Sequence, residues 1–283
     1  MAEDTFDVEE LEVSFSDTIS QAVIRDRVED VVEEDLQFRE AFMNYPAQDV
    51  STNVVEIPVP EDDMGLPSLV GEGDEYPREQ EHYGTEKLTF DKFGMEIAFT
   101  WESQEDSLIN HVSSQVDRQG RKLQERLNEE AYEVLANNNH PTTAGDADEV
   151  FSYQDVVAGR NVLKQESYNP DLMIVDLEAS ADLLTDANFI HATDMGDEIL
   201  RTGQIGQIAN LDVIEADSRR IGGDDATPGA FIIDTDWYGY ESTRTGITSE
   251  EYTEMRTETD VVRIKTRMGW ISIYEDACVE VEG

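Results

Sequence analysis

The 283 residues include 39% hydrophobic and 8% aromatic side chains, enough for one large core or two modest ones, which excludes a chain disordered throughout. Against 65 Asp and Glu stand only 20 Lys and Arg, a formal charge of -45 that opposes compaction and association unless salt screens it, and we expect synthesis in a high-salt cytoplasm. A lone cysteine, Cys278, excludes an intrachain disulfide, and the absence of a signal-peptide pattern or a long apolar run predicts a soluble chain with no membrane partner.

Residues 1–12 are acidic. Ile19, Ala22, Val23, Val28, Val31 and Val32 recur at helical spacing and predict a helix over 16–32, with a second short helix over 36–44 that ends at Tyr45-Pro46. Two strand-like runs follow at 55–59 and 88–101, the second alternating through Phe93, Met95, Ile97, Phe99 and Trp101. The intervening stretch, 60–84, is rich in Pro, Gly and acid. A structureless loop of that length is unusual inside a compact domain, so the unit reads either as a two-stranded arm whose tip reaches a partner or as a surface loop.

Residues 103–136 read as one long helix. Ser103 and Asp106 form a variant capping box, and Asn137, Asn138, Asn139, His140 and Pro141 end the run. Ile109, Val112, Val116, Gly120, Leu123, Leu127, Ala131 and Val134 step in an eleven-residue repeat, which gives a nearly straight rod and not a left-handed coiled coil. Gly120 within the stripe marks a close approach by a neighbouring element. Core helix and architectural spine both fit this pattern.

Beyond the rod, Ser152 and Asp155 cap a helix carrying Val156, Val157, Val162 and Leu163. A buried strand at 172–175 and a short helix at 179–188 follow. Gly203 and Gly206 mark a turn before a strand at 211–214, residues 221–230 form another turn, and 231–233 another strand. In the tail, Val262, Ile264, Thr266 and Met268 alternate with Arg263, Lys265 and Arg267, and Ile271 and Ile273 continue the sheet. The class is α+β.

The sequence contains no phosphate-binding loop, dinucleotide fingerprint, nucleophile elbow or zinc-protease helix, so no catalytic or cofactor-binding residue is assigned. His82, His111, His140 and His191 are scattered. Glu61-Asp62-Asp63 and Asp224-Asp225 lack the spacing of a calcium loop, and no metal site is assigned. Arg118, Arg121, Lys122 and Arg126 form a basic island on the rod. They read either as helix-surface salt pairs, Arg121 with Glu125 and Arg126 with Glu130, or as a patch facing phosphate.

The order of elements, together with VEIPVPEDDMGLPSLVGEGDEYP (55–77), Phe99-Thr100-Trp101-Glu102 leading into the rod, NPDLMIVD (169–176) and GQIGQIANLDVIEAD (203–217), resembles the major capsid proteins of tailed viruses, the Hong Kong 97 type of shell protein. The resemblance runs from about residue 25 to 283. It implies an N-terminal arm (1–50), an extended β-hairpin loop (51–102), a peripheral domain with the spine helix (103–165), an axial α/β domain (166–254) and C-terminal strands returning to the peripheral domain (255–283).

The implied function is self-assembly into hexamers and pentamers of an icosahedral shell around double-stranded DNA, in the virion of a virus of haloarchaea. Loop residues Asp62, Met64, Leu66, Leu69, Val70 and Tyr76 would contact a neighbouring subunit. Arg118, Arg121, Lys122 and Arg126 would meet packaged DNA without sequence preference, and portal and accessory proteins would be further partners. The stretch before the loop is too short for the fused scaffolding segment of some relatives, and nothing beside Lys87 and Lys92 supports the lysine cross-linking of others. An encapsulin-like compartment shell and a halophilic enzyme with an unrecognised carboxylate site are the alternative readings.

Overall fold

The computed structural model describes residues 37–46, 52–61, 69–70, 76, 78, 82–102, 111–136, 139–143, 150–186, 206–216 and 229–282. The helix expected over 16–32 lies outside them, as do the capped start of the long helix and Ile109.

The described elements are, in chain order, a 3-10 turn Arg39–Ala41, β1 Met43–Asn44, β2 Val54–Glu61, β3 His82–Thr89, β4 Asp91–Thr100, α1 His111–Ala136, β5 Thr142–Thr143, α2 Tyr153–Gln165, β6 Leu172–Asp176 and α3 Leu177–Thr185. There follow β7 Gln207–Ile208, β8 Leu211–Ala216, β9 Gly229–Ile233, β10 Gly239–Glu254, β11 Thr259–Ser272, a 3-10 turn Glu275–Ala277 and β12 Cys278–Glu282. Two compact units emerge. One draws on 92–128 and 245–268, the other on 37–91, 129–244 and 269–283.

The larger unit holds a six-stranded sheet in the order β5-β12-β9-β6-β8-β7. β6 runs parallel to β8 and antiparallel to β9, which is antiparallel to β12. All five residues of β6 and of β9 are buried, as central strands covered on both faces require. Because side chains alternate across a strand, Met173, Val175, Ala230, Ile232, Val279 and Val281 share one core with Val156 and Leu163 of α2 and Leu183 of α3. Leu172, Ile174, Phe231, Ile233 and Cys278 share the other with Ala131 and Leu135 of α1 and with Phe38, Ala41 and Phe42.

Local signals act as the sequence implies at α2. The Ser152 N–H donates to the Asp155 carboxylate at 2.8 Å, and the serine hydroxyl meets the same carboxylate at 2.5 Å. Asp176 ends β6 and caps α3 by accepting the Glu178 N–H at 3.3 Å, so this helix starts two residues earlier than expected. The reversal between β7 and β8 is made by Ala209 and Asn210, both at positive φ (49° and 68°), as a two-residue hairpin turn of primed type needs, while Gly203 of the expected turn lies outside the described residues.

Two expectations are corrected. Residues 39–44 form one 3-10 turn and a strand that pairs parallel with β10, Met43 opposite Tyr240, in place of a helix over 36–44. The run at 88–101 is not one strand: Leu88 and Thr89 finish β3, Phe90 breaks the run, and β4 joins a different sheet in the order β1-β10-β11-β4.

In the smaller unit, the buried face of α1 carries Val116, Gly120, Leu123 and Leu127, four of the expected stripe positions, with Gln119 beside them. β11 alternates as its sequence does, with Val262, Ile264, Thr266 and Met268 buried and Arg263, Lys265 and Arg267 partly exposed.

Candidate assembly surfaces

Strands β2 and β3 pair antiparallel over eight positions, from Val54 opposite Thr89 to Glu61 opposite His82, in a separate two-stranded ribbon. Pro58 and Pro60 cannot donate to a ladder and are tolerated because each strand of a ribbon has a free edge. The ribbon is tied down along its ladder, most densely near Val54 and Thr89. Val55, Ile57, Leu88 and Phe90 form a buried cluster, with Tyr45, Val59, Tyr240, Ile271 and Ile273 packed against it. The Tyr274 hydroxyl donates to the Pro60 carbonyl at 3.2 Å. Towards the tip the apolar groups are in solvent: Tyr83 is 59%, Tyr76 80% and Leu69 fully exposed, while Val70 is half-buried. Asp62, Met64 and Leu66 lie outside the described residues.

On α1 the four basic residues share one exposed face, opposite Val116, Leu123 and Leu127. Glu125 is held by Lys122, at 2.5 Å, and not in the expected pair with Arg121. Both partners are half exposed, so the pair contributes little to stability. Arg126 and Glu130 each have partners within the fold.

Sequence reasoning missed Gln119. It is buried, and its amide donates to the Met95 carbonyl at 2.8 Å and reaches that of Val262 at 3.5 Å, fastening α1 to β4 and β11. A lone polar residue beside an apolar stripe was the only available signal. Equally unforeseen is a charged network on β4, β10 and β11. Arg263 meets Glu96 at 2.5 Å and Glu250 at 3.3 Å and lies over the Tyr252 ring, while Lys265 also binds Glu250. The Lys265 and Arg263 bonds hold the Glu250 carboxyl below its ordinary value.

Among the described residues no group of three or more His, Cys, Asp or Glu is placed to hold a metal ion, and no helix is long and apolar enough to cross a membrane. The acidic pair Asp224-Asp225 lies outside them.

A ribbon packed down along its ladder, a rod with a cationic face and a sheet covered on both sides make a chain whose distinctive features are surfaces. The chain belongs to the phage capsid protein family, which it matches over residues 84–280. It is a structural protein and not an enzyme. No curated protein matches it in sequence. Its mixed α+β fold matches that of a protein of Mycobacterium phage Che8 (13% identity, 81% of this chain and 84% of that one, TM-score 0.65). It also matches the capsid structure of cyanophage P-SCSP1u (10% identity, 88% and 87%, TM-score 0.68). A third match is the virus-like particle from Pyrococcus furiosus (10% identity, 92% and 97%, TM-score 0.61).

Proposed function

We propose that this chain is the major capsid protein of a tailed virus, of the Hong Kong 97 type, which assembles with copies of itself into hexamers and pentamers of an icosahedral shell around double-stranded DNA. The family match across residues 84–280 carries this reading. Agreement with capsid folds over most of both chains supports it. The charge of -45 supports a virus of haloarchaea, with subunits made in the host cytoplasm and ending in the virion, where portal and accessory proteins join them. Within the subunit, α1 is the spine of a peripheral domain over 103–165, residues 166–254 form the axial domain, 1–50 the arm, 51–102 the extended loop and 255–283 the returning strands. A compartment shell of encapsulin type is the second reading, supported by the virus-like particle from Pyrococcus furiosus, whose TM-score does not exceed those of the phage capsids.

The ribbon tip, with Asp62, Met64, Leu66, Leu69, Val70 and Tyr76, contacts a neighbouring subunit in this assembly. Exposed Leu69 and Tyr76 support that role, since large apolar groups in solvent gain most from being covered. The anchoring groups of β2 and β3, from Val55 to Pro60 and at Leu88 and Phe90, all lie outside 65–80. Deleting 65–80 should therefore leave a folded subunit, by circular dichroism, that forms no shells under negative-stain microscopy; normal shells from the deletion would refute the contact.

Arg118, Arg121, Lys122 and Arg126 face the packaged DNA. Each phosphate contact releases counterions without reading sequence, so the patch suits bulk DNA. Replacing all four by Gln should preserve assembly and shorten the retained genome, measured by gel after capsid opening. Unchanged genome length with intact shells would leave the face a surface of salt pairs.

A further inference from the structure

Just past the end of α1, His140 sits between two backbone carbonyls. Its Nε2 lies 2.7 Å from the Leu135 oxygen and its Nδ1 3.0 Å from the Glu275 oxygen. A carbonyl oxygen only accepts, so both ring nitrogens must donate, and only the imidazolium form carries two N–H groups. Either neutral tautomer would aim a lone pair at an oxygen.

The surroundings suit a cation. Leu135 belongs to the last turn of α1, where carbonyls lack intrahelical partners and the helix dipole is negative. The ring packs against Tyr238 and Phe231, with centroids 5.6 and 6.4 Å away. Glu280 on β12 is raised by burial and by Glu282 and lowered by His140 itself. The 3-10 turn before β12 carries the acids Glu275 and Asp276. Burial, then Glu280, pushes the Tyr132 hydroxyl on α1 up to about 12 and the Cys278 thiol far up, so neither adds negative charge in the range where histidines titrate. The fixed charges around the ring there are carboxylates.

We infer that His140 is a proton-operated clamp: charged, it ties the last turn of α1 to the 3-10 turn Glu275–Ala277, and on losing a proton it gives up one of its two carbonyls. The tie is whole while both ring nitrogens carry protons and weakens once one of them is lost. This conclusion does not depend on what the shell encloses.

Hydrogen exchange of the full-length protein, read by mass spectrometry at about pH 5.5 and 8.5 and corrected for the chemical exchange rate, tests it. Segments 129–136 and 275–282 should open about tenfold more at the higher pH, the loss expected for one charge-assisted bond. In His140→Gln the difference between the two pH values should shrink to what Glu280 and the other buried carboxylates contribute. Equal protection of the wild type at both values, or the same pH response in the variant, overturns the proposal. Should the variant not fold, nitrogen-15 spectra of the labelled wild type decide: two slowly exchanging, hydrogen-bonded ring N–H groups at His140 at the lower pH support the clamp, and ring N–H protons that exchange freely with water overturn it.

Discussion

Glu241 is 3% exposed, and among the described residues its charged partner at hydrogen-bond distance is Arg39, whose Nε lies 2.6 Å away. Burial raises the carboxyl above its ordinary value and Arg39 pulls it back. Around this pair the Tyr45 N–H donates to the Glu241 carbonyl at 2.7 Å, and the Ser242 hydroxyl to the Tyr45 carbonyl at 2.7 Å. Breaking a buried pair from one side costs about 3–5 kcal/mol, and because Arg39 is about a third exposed we expect about 2 kcal/mol for Arg39→Met. The orphaned carboxyl would titrate higher still, so the deficit should be largest near neutral pH and shrink in acid as the carboxyl takes up a proton. Urea unfolding of the unassembled subunit at both pH values checks this; a pH-independent deficit would contradict it. No sequence signal marks this pair, because its members lie 202 positions apart and meet only through the pairing of β1 with β10.

Strand crossings set the tolerance of the elements. A Cβ on Gly269 of β11 would lie 2.1 Å from the Thr89 carbonyl oxygen and 3.0 Å from the Leu88 side chain at the more densely packed end of the ribbon, whereas one on Gly246 of β10 meets nothing within 4 Å. Backbone cannot step aside as a flexible side chain does. Gly269→Ala should therefore cost about 3 kcal/mol or abolish folding, and Gly246→Ala should change stability by less than about 0.5 kcal/mol. Thermal unfolding of the two variants separates them. The same elements show what sequence conveys. The stripe of α1 and the alternation of β11 were legible because one face of each is apolar and the other is not. β10 was not read at all, since Glu241, Ser242, Thr243 and Thr245 carry no apolar period and the strand is held by its neighbours in the sheet. Residues 36–44 misled because Phe38, Ala41 and Phe42 stand at helical spacing, yet what buries them is the core shared with Tyr238, and β1 pairs with β10. Of the candidate surfaces, composition marked the loop and the basic face; Gln119 and the Arg263 network depend on cross-strand neighbours that no local window contains.

For the whole molecule the governing quantity is the charge of -45, which the proposed shell would repeat on every subunit. Screening acts over about 3 Å in molar salt but about 30 Å at 0.01 M, far enough for acidic faces of adjacent subunits to repel. Mild acid removes the same repulsion. Burial holds Glu241, Asp234, Glu251 and Glu280 above their ordinary values. Folded subunits therefore keep protons at a pH where unfolded chains have released them, and stability falls as pH rises through that window. Light scattering of empty shells should drop when salt is lowered to about 0.01 M at neutral pH without divalent cations, and should hold when the pH is lowered in high salt. Shells intact at low salt would mean that buried contacts dominate. The same chain also carries its own chemical clock. Cys278 is the sole thiol, fully buried where β12 meets β9 opposite Ile233. A thiol-reactive dye can label it only while that strand is open, so the labelling rate of an otherwise unmodified subunit reports, at a single atom, how often the central sheet breathes.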